Sequence, residues 1–186
     1  QRASEAASSL WQAVEKATAS VSAEGAPADE ETESFTTFEA RGKAASEEFE
    51  ETLTAHAGTK AAVWARLGQA TAQLEAGDVQ AARKSFAKVR SEAGEDVPYL
   101  EMRALEGLAF TSEAEQKWDE AIERYEAMQK VGGGRYRELA DYHLARAHMA
   151  KGDEGKAKEI LRGLLDGLGE EDAPELPYVE QRAQRR

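Results

Sequence analysis

The sequence predicts an all-α chain, a helical repeat array of about four helix pairs plus a C-terminal helix. The first observation is a small residue followed four positions later by a large apolar one, at Ala45/Phe49, Ala82/Phe86, Ala121/Tyr125 and Ala157/Leu161. Side chains four apart lie one above the other on a single helix face. The second is the spacing: the alanines are separated by 37, 39 and 36 residues, a period that marks stacked helical hairpins. The third is composition. With 41% hydrophobic and 32% charged residues, the chain reads as soluble and helix-rich.

Residues 1–21 form an N-terminal helix with Leu10, Val14, Ala17 and Val21 at helical spacing and Trp11 beside the stripe. One apolar face obliges it to pack on something. Residues 22–35 read as an acidic, flexible loop, broken by Gly25 and Pro27 and without Lys or Arg. The repeat array occupies residues 36–186. Its first helix, from about Thr37 to His56, is expected to turn Phe38, Ala45, Phe49 and Leu53 inward and to stop at Gly58. Trp64 lies on the next helix, which ends at Gly77; Asp78 then caps the helix of Ala82, Phe86 and Val89. Pro98 opens the following helix at a position where a missing N–H costs nothing. No Gly or Pro lies between Ser112 and Lys117, so only the repeat register places a turn there. Gly132-Gly133-Gly134 ends the helix of Ala121 and Tyr125. The next is expected to bury Leu139, Tyr142 or His143, Leu144 and Ala147 before Gly152-Asp153 turns the chain again. After the helix of Ala157, Ile160, Leu161 and Leu164, Leu176-Pro177-Tyr178-Val179 opens a ninth helix.

A net charge of −12 repels a phosphate backbone and argues against nucleic-acid binding. With no cysteine, disulfides, thiolate zinc sites and cysteine nucleophiles are excluded. No apolar run is long enough to span a bilayer, so a membrane link would come only from a segment outside this sequence. The opening on Gln1 rather than Met suggests that such an upstream piece was removed. Chemistry is sparse. His143 and His148 are five apart and diverge on a helix, the wrong arrangement for zinc. Ser85-x-x-Lys88 lacks companion motifs, and Gly132–Gly134 beside Arg135 lacks the strand a phosphate loop needs. Trp11, Trp64 and Trp118, at helical spacing, read as packing residues rather than binding anchors. No cofactor, metal or catalytic constellation is expected, and the chain is not expected to be an enzyme.

Trp64-x-x-Leu67-Gly68-x-x-Thr71 followed by Ala82-x-x-x-Phe86 resembles the tetratricopeptide repeat, with Thr in place of its usual Tyr. Gly107 with Ala121 and Tyr125, and Ala145 with Ala157 and Leu161, are weaker copies. Gly68–Ala82 and Gly107–Ala121 are 14 apart against 12 for Ala145–Ala157, so the turns of the first two of these pairs are expected to be irregular. The resemblance implies a protein-interaction scaffold that holds a polypeptide segment on the concave side. Its inner positions would be Ala65, Gln69 and Ala72; Ala104, Leu108 and Thr111; and Tyr142, Arg146 and Met149. The Lys and Asn residues of the family's carboxylate clamp are missing from those places. The layout, with the Gly58-Thr59-Lys60-Ala61-Ala62 and Gly152-Asp153 junctions, is also similar to the ancillary SecYEG translocon subunit family. That likeness implies a chaperone-like envelope role on the periplasmic side of a bacterial inner membrane. A homo-oligomerising structural protein and a cytoplasmic adaptor stay open as alternatives, as does filling of the groove by the N-terminal helix or a second copy.

Overall fold

In the computed structural model, residues 2–22, 33–93 and 97–167 are described. Eight helices follow one another: α1 (Arg2–Thr18), α2 (Phe38–Ala55), α3 (Lys60–Glu75), α4 (Val79–Glu92), α5 (Pro98–Ala114), α6 (Trp118–Met128), α7 (Arg137–Lys151) and α8 (Glu154–Gly167). The expected ninth helix, residues 23–32 of the expected acidic loop and residues 94–96 lie outside the described residues. The helices form four consecutive hairpins. Below, α1, α3, α5 and α7 are the A helices, and α2, α4, α6 and α8 the B helices.

Local chemistry starts the helices where the sequence suggests. Thr37 Oγ1 accepts from Ala40 N–H at 3.0 Å, Thr59 Oγ1 from Ala62 N–H at 3.2 Å and Asp78 Oδ1 from Ala81 N–H at 3.0 Å. Each satisfies a donor that the first helical turn leaves orphaned. One local feature departs from the helical reading. Ser20–Val21 and Ser34–Phe35 pair as a two-residue parallel ladder, β1 and β2, which brings the ends of the acidic loop together. Arg41 fixes it by donating to Ala19 O at 2.9 Å.

The A-to-B turns of the last three hairpins are built alike. Gly77, Gln116 and Gly152 all adopt positive φ, at 82°, 58° and 99°. After each, an N–H reaches back to close the helix: Asp78 to Gln73 O, Lys117 to Ser112 O and Asp153 to His148 O, at 2.8–2.9 Å. This is the Schellman arrangement, and at the middle turn it is made without glycine. The turn between Ser112 and Lys117, placed by the repeat register, is therefore real. Counting seven back from each cap gives Ala70, Ala109 and Ala145, all buried and all 12 residues before the B-helix alanine. The expected irregularity of the first two turns is thus not found. Gly68 and Gly107 correspond to His143, two residues earlier than the Ala145 they were matched to.

The core is three clusters, one per junction between hairpins, each centred on a B-helix aromatic. Phe49 packs with Ala62, Ala65 and Ala72; Phe86 with Leu100, Ala104 and Leu108; Tyr125 with Ala140, Leu144 and Ala147. The bare backbone of α3 at Gly68 takes the Phe49 ring, and that of α5 at Gly107 takes the Phe86 ring; an added Cβ would fall inside either ring's van der Waals surface. The aromatic of one hairpin therefore enters the next hairpin's A helix, not its own. Leu10, Val14 and Ala17 of α1 join the first cluster, so α1 is the A helix of the first hairpin.

Some expected core positions lie outside. Phe38 is 61% exposed, under the Arg41 guanidinium. Its stripe partner Gly42 already lies against Ala72 O and Ala76 N at the end of α3, so one turn earlier nothing is left to cover the ring. Leu139 is exposed and His143 takes the buried place. Trp11 is 62% exposed and Trp64 39%, so for these two the packing reading fails.

Gly68→Ala and Gly107→Ala should each destabilise by about 1–3 kcal/mol through overpacking. Gly163→Ala, on an open helix face, should stabilise by about 0.5–1 kcal/mol. Urea titrations compare the three. Gln116→Gly should raise stability by about 1 kcal/mol by removing a left-handed non-glycine residue; an unchanged or lower midpoint would contradict the strain.

Candidate functional site

The corrected register decides which A-helix side chains face outward. Counting back from the three caps, equivalent positions are Trp64, Leu67, Thr71 and Leu74 on α3; Arg103, Glu106, Phe110 and Glu113 on α5; and Leu139, Tyr142, Arg146 and Met149 on α7. These rows hold the exposed Trp64, Thr71 and Leu139 and the half-exposed Arg103, Phe110, Tyr142, Arg146 and Met149, while Leu67 and Glu106 in the same rows are buried against the neighbouring helices.

Of the residues expected to line the concave side, Tyr142, Arg146 and Met149 are on this open face. The other six are not. Ala65, Gln69, Ala72, Ala104, Leu108 and Thr111 are buried between helices. Ala65 and Ala72 belong to the first core cluster with α1, Ala104 and Leu108 to the second, and Gln69 donates to Glu50 Oε2 of α2 at 2.5 Å. The physical reason is angular. A count begun from Gly68 and Gly107 is shifted by two residues, and two helical residues turn a side chain by about 200°. What fixes the count is the exposure of Trp64 and the glycine-on-ring contacts, both of them tertiary facts.

The face changes character along the array. On α3 it is apolar: the exposed Trp64 and the half-buried Leu74 are joined by Tyr99, 43% exposed at the start of α5. Their rings stack with centroids 5.8 Å apart and planes 25° from parallel. Two neighbouring A helices thus share one aromatic plate, half open to water.

Between α5 and α7 the face is polar and bridged. His143 Nε2 lies 2.9 Å from Glu106 Oε1, and Glu106 also pairs with Arg103. The Tyr125 hydroxyl donates to Glu113 Oε1 at 2.9 Å; Arg146 Nη2 donates to the same oxygen at 2.8 Å and to Tyr125 Oη at 3.1 Å. The Arg146 guanidinium also lies over the Phe110 ring, 5.6 Å from its centroid. Burial opposes charge on Arg146, but the hydrogen bond and charge of Glu113 outweigh it and its pKa is raised. Burial first, and then the Glu113 carboxylate, push the Tyr125 phenol well above the usual range.

Nothing on this face converges as a metal site: among the described residues no three His, Asp or Glu side chains are placed to hold a cation. No described helix is long and apolar enough to cross a membrane. No Lys or Asn stands at the outward positions of α3 and α5, so the carboxylate clamp is missing in the corrected register as well.

The fold is an all-α, tetratricopeptide-like helical repeat array. Residues 64–94 match the tetratricopeptide repeat family, covering α3 from Trp64 onward, its turn and α4. Similar solved structures include a Podosopora anserina chain of nearly identical TPR-like repeats, assigned as a candidate kinesin light chain. It is 20% identical, with a TM-score of 0.56 over 79% of this chain and 71% of that one. A single-substitution variant of the same protein gives 20% identity and a TM-score of 0.57 over 79% and 70%. At this identity the likeness is one of fold. No curated protein matches the chain.

The raised Tyr125 pKa has a sign. A phenol whose folded pKa exceeds its ordinary value of about 10 contributes stability fully below that value and loses it as pH climbs toward the folded one. Stability should therefore fall above about pH 10, and Tyr125→Phe should flatten that slope while costing about 1–3 kcal/mol at neutral pH. Denaturant midpoints between pH 8 and 11 for both chains, with tyrosinate absorbance followed in parallel, read this directly.

Proposed function

We propose that the chain is a protein-interaction scaffold that holds a polypeptide segment across the A-helix face, anchored at the Trp64–Tyr99 plate. The observation that carries this is the stacked pair itself, two large aromatics left half in water on adjacent helices of a well-packed array. Rigid aromatic surface of that kind offers much contact area at little entropic cost, and aromatic side chains dominate binding hot spots. Beyond the plate, Thr71, Leu74 and Met149 provide small and adaptable contacts along the same face. α1 packs against the flank of α3 and leaves Trp64 and Thr71 open, which favours an external segment over α1 as occupant.

Self-association is the second reading, favoured by the exposed Trp11 and Phe38 near one end of the array and Leu165 near the other. Sedimentation velocity over a concentration series separates the two: a dimer abolished by Trp11→Ala would favour it. An envelope or translocon-associated place is a narrower form of the scaffold reading, supported only by the likeness of layout noted above; membrane and soluble fractionation of cells tests it.

Peptides enriched by display panning on the immobilised chain should bind the Trp64→Ala/Tyr99→Ala double variant about tenfold or more weakly, a loss of about 1.4 kcal/mol or more. Fluorescence anisotropy measures it, with Glu123→Ala, exposed on α6, as the unaffected control. Equal affinity for the double variant would remove the plate from the site.

A further inference from the structure

The three junctions between hairpins occupy equivalent places but are not built alike. At the first two, a phenylalanine ring meets bare glycine backbone, Phe49 on Gly68 and Phe86 on Gly107. At the third, Tyr125 replaces phenylalanine and His143 replaces glycine. Their rings stack at 4.9 Å with planes 13° apart, so an imidazole is interposed between α6 and α7 where the other junctions close onto the helix itself. A ring slipped between two helices holds them apart and removes the closest apolar contact.

Polar ties are added to the apolar contacts that Tyr125 keeps with Ala140, Leu144 and Ala147. Glu106 of α5 bonds His143 of α7, and Glu113 of α5 takes hydrogen bonds from both Tyr125 of α6 and Arg146 of α7. Arg103 is a second partner of Glu106, and Gln129, just past the end of α6, donates to Asp141 of α7. The packing is frustrated: with Nε2–H given to Glu106, His143 Nδ1 is a buried acceptor without a hydrogen-bond partner. Opening would let water reach it.

The chain linking α6 to α7 has the matching property. Gly132, Gly133 and Gly134 adopt φ of 60°, 69° and 91°, the one run of three consecutive left-handed residues among those described. Gly132 rests near Pro98 at the foot of α5, whereas around Gly133 there is open space. That linker is a short 3-10 turn, Val131–Gly134, held by the buried Val131 and by Gly132 and unpacked at Gly133.

We propose that the junction between the third and fourth hairpins is a polar hinge, on which α7 and α8 swing as a unit against α1–α6. Glu106 and Glu113 are the latch and Gly133–Gly134 the pivot. Swinging changes the separation of α5 and α7 on the open A-helix face. The hinge itself stands whether or not that face binds a polypeptide.

The absence of cysteine allows paired spin labels without background. Labels at Ala87→Cys on α4 and Glu159→Cys on α8, both exposed, report across the hinge; labels at Glu51→Cys on α2 and Glu126→Cys on α6 report across the two apolar junctions. The α4–α8 distance distribution should be about twice as broad as the α2–α6 one. Glu113→Gln should move it further toward the open distance, and His143→Gly with Tyr125→Phe, which restores the glycine–phenylalanine contact, should narrow it. An α4–α8 distribution as narrow as the control and unmoved by Glu113→Gln overturns the hinge. Native-state hydrogen exchange on the unaltered chain is the second measure and needs no variant. α7 and α8 should exchange together, ahead of α3–α6; exchange that creeps inward from Gly167 and leaves α7 as protected as α5 is simple end fraying, and overturns it.

Discussion

The array depends on one contact, a benzyl ring laid on helix backbone. Phe49 on Gly68 and Phe86 on Gly107 bring a B helix against the following A helix more closely than any side chain would allow. Each ring is also the centre of a buried cluster that includes residues of three successive helices. A hairpin alone has an uncovered apolar side, and the ring is what that side offers to its neighbour. Stability therefore accumulates junction by junction, as in other quasi-one-dimensional proteins.

That constraint explains the division of labour on the A helices. A helix with glycine at the ring position turns the residues one place on, such as Gln69 and Leu108, into the packing, and the residues one before, Leu67 and Glu106, toward the opposite flank. Side chains three and six before the cap are then left toward solvent, which is why Thr71, Phe110, Arg146 and Met149 define the usable face. The Trp64–Tyr99 plate sits on its apolar half and the Glu113–Arg146–Tyr125 ties on its polar half. The proposed grip and the proposed hinge thus fall on different halves of one surface.

Much of the fold was legible in the residues. Ala45, Ala82, Ala121 and Ala157 are fully buried, Phe49, Phe86 and Tyr125 are core, and the helices begin and end close to their capping Thr, Asp and Gly residues. These follow from periodicity and from local hydrogen bonding, which need no distant partner. The site was less legible. Gly68 reads as the small residue of a repeat motif, but Ala70 is small as well, so composition alone does not say which of the two holds that motif place. An error of two residues there moved six positions from solvent to core. Phe38 and Leu139 were misjudged for a related reason: a stripe marks the side of a helix, not where the neighbour covering it ends.

The order of helices, the repeat period and the burial of the three B-helix rings, Phe49, Phe86 and Tyr125, belong to the sequence by itself, because each is a local pattern with a local physical cause. Tertiary structure alone decided the register between A and B helices, the exposure of Trp64 and Tyr99, and the meeting of Glu106 with His143 and Glu113 with Arg146. Those depend on angles about helix axes and on contacts between residues more than thirty positions apart. A spacing read along one chain carries no information about the rotation of the neighbour it will meet.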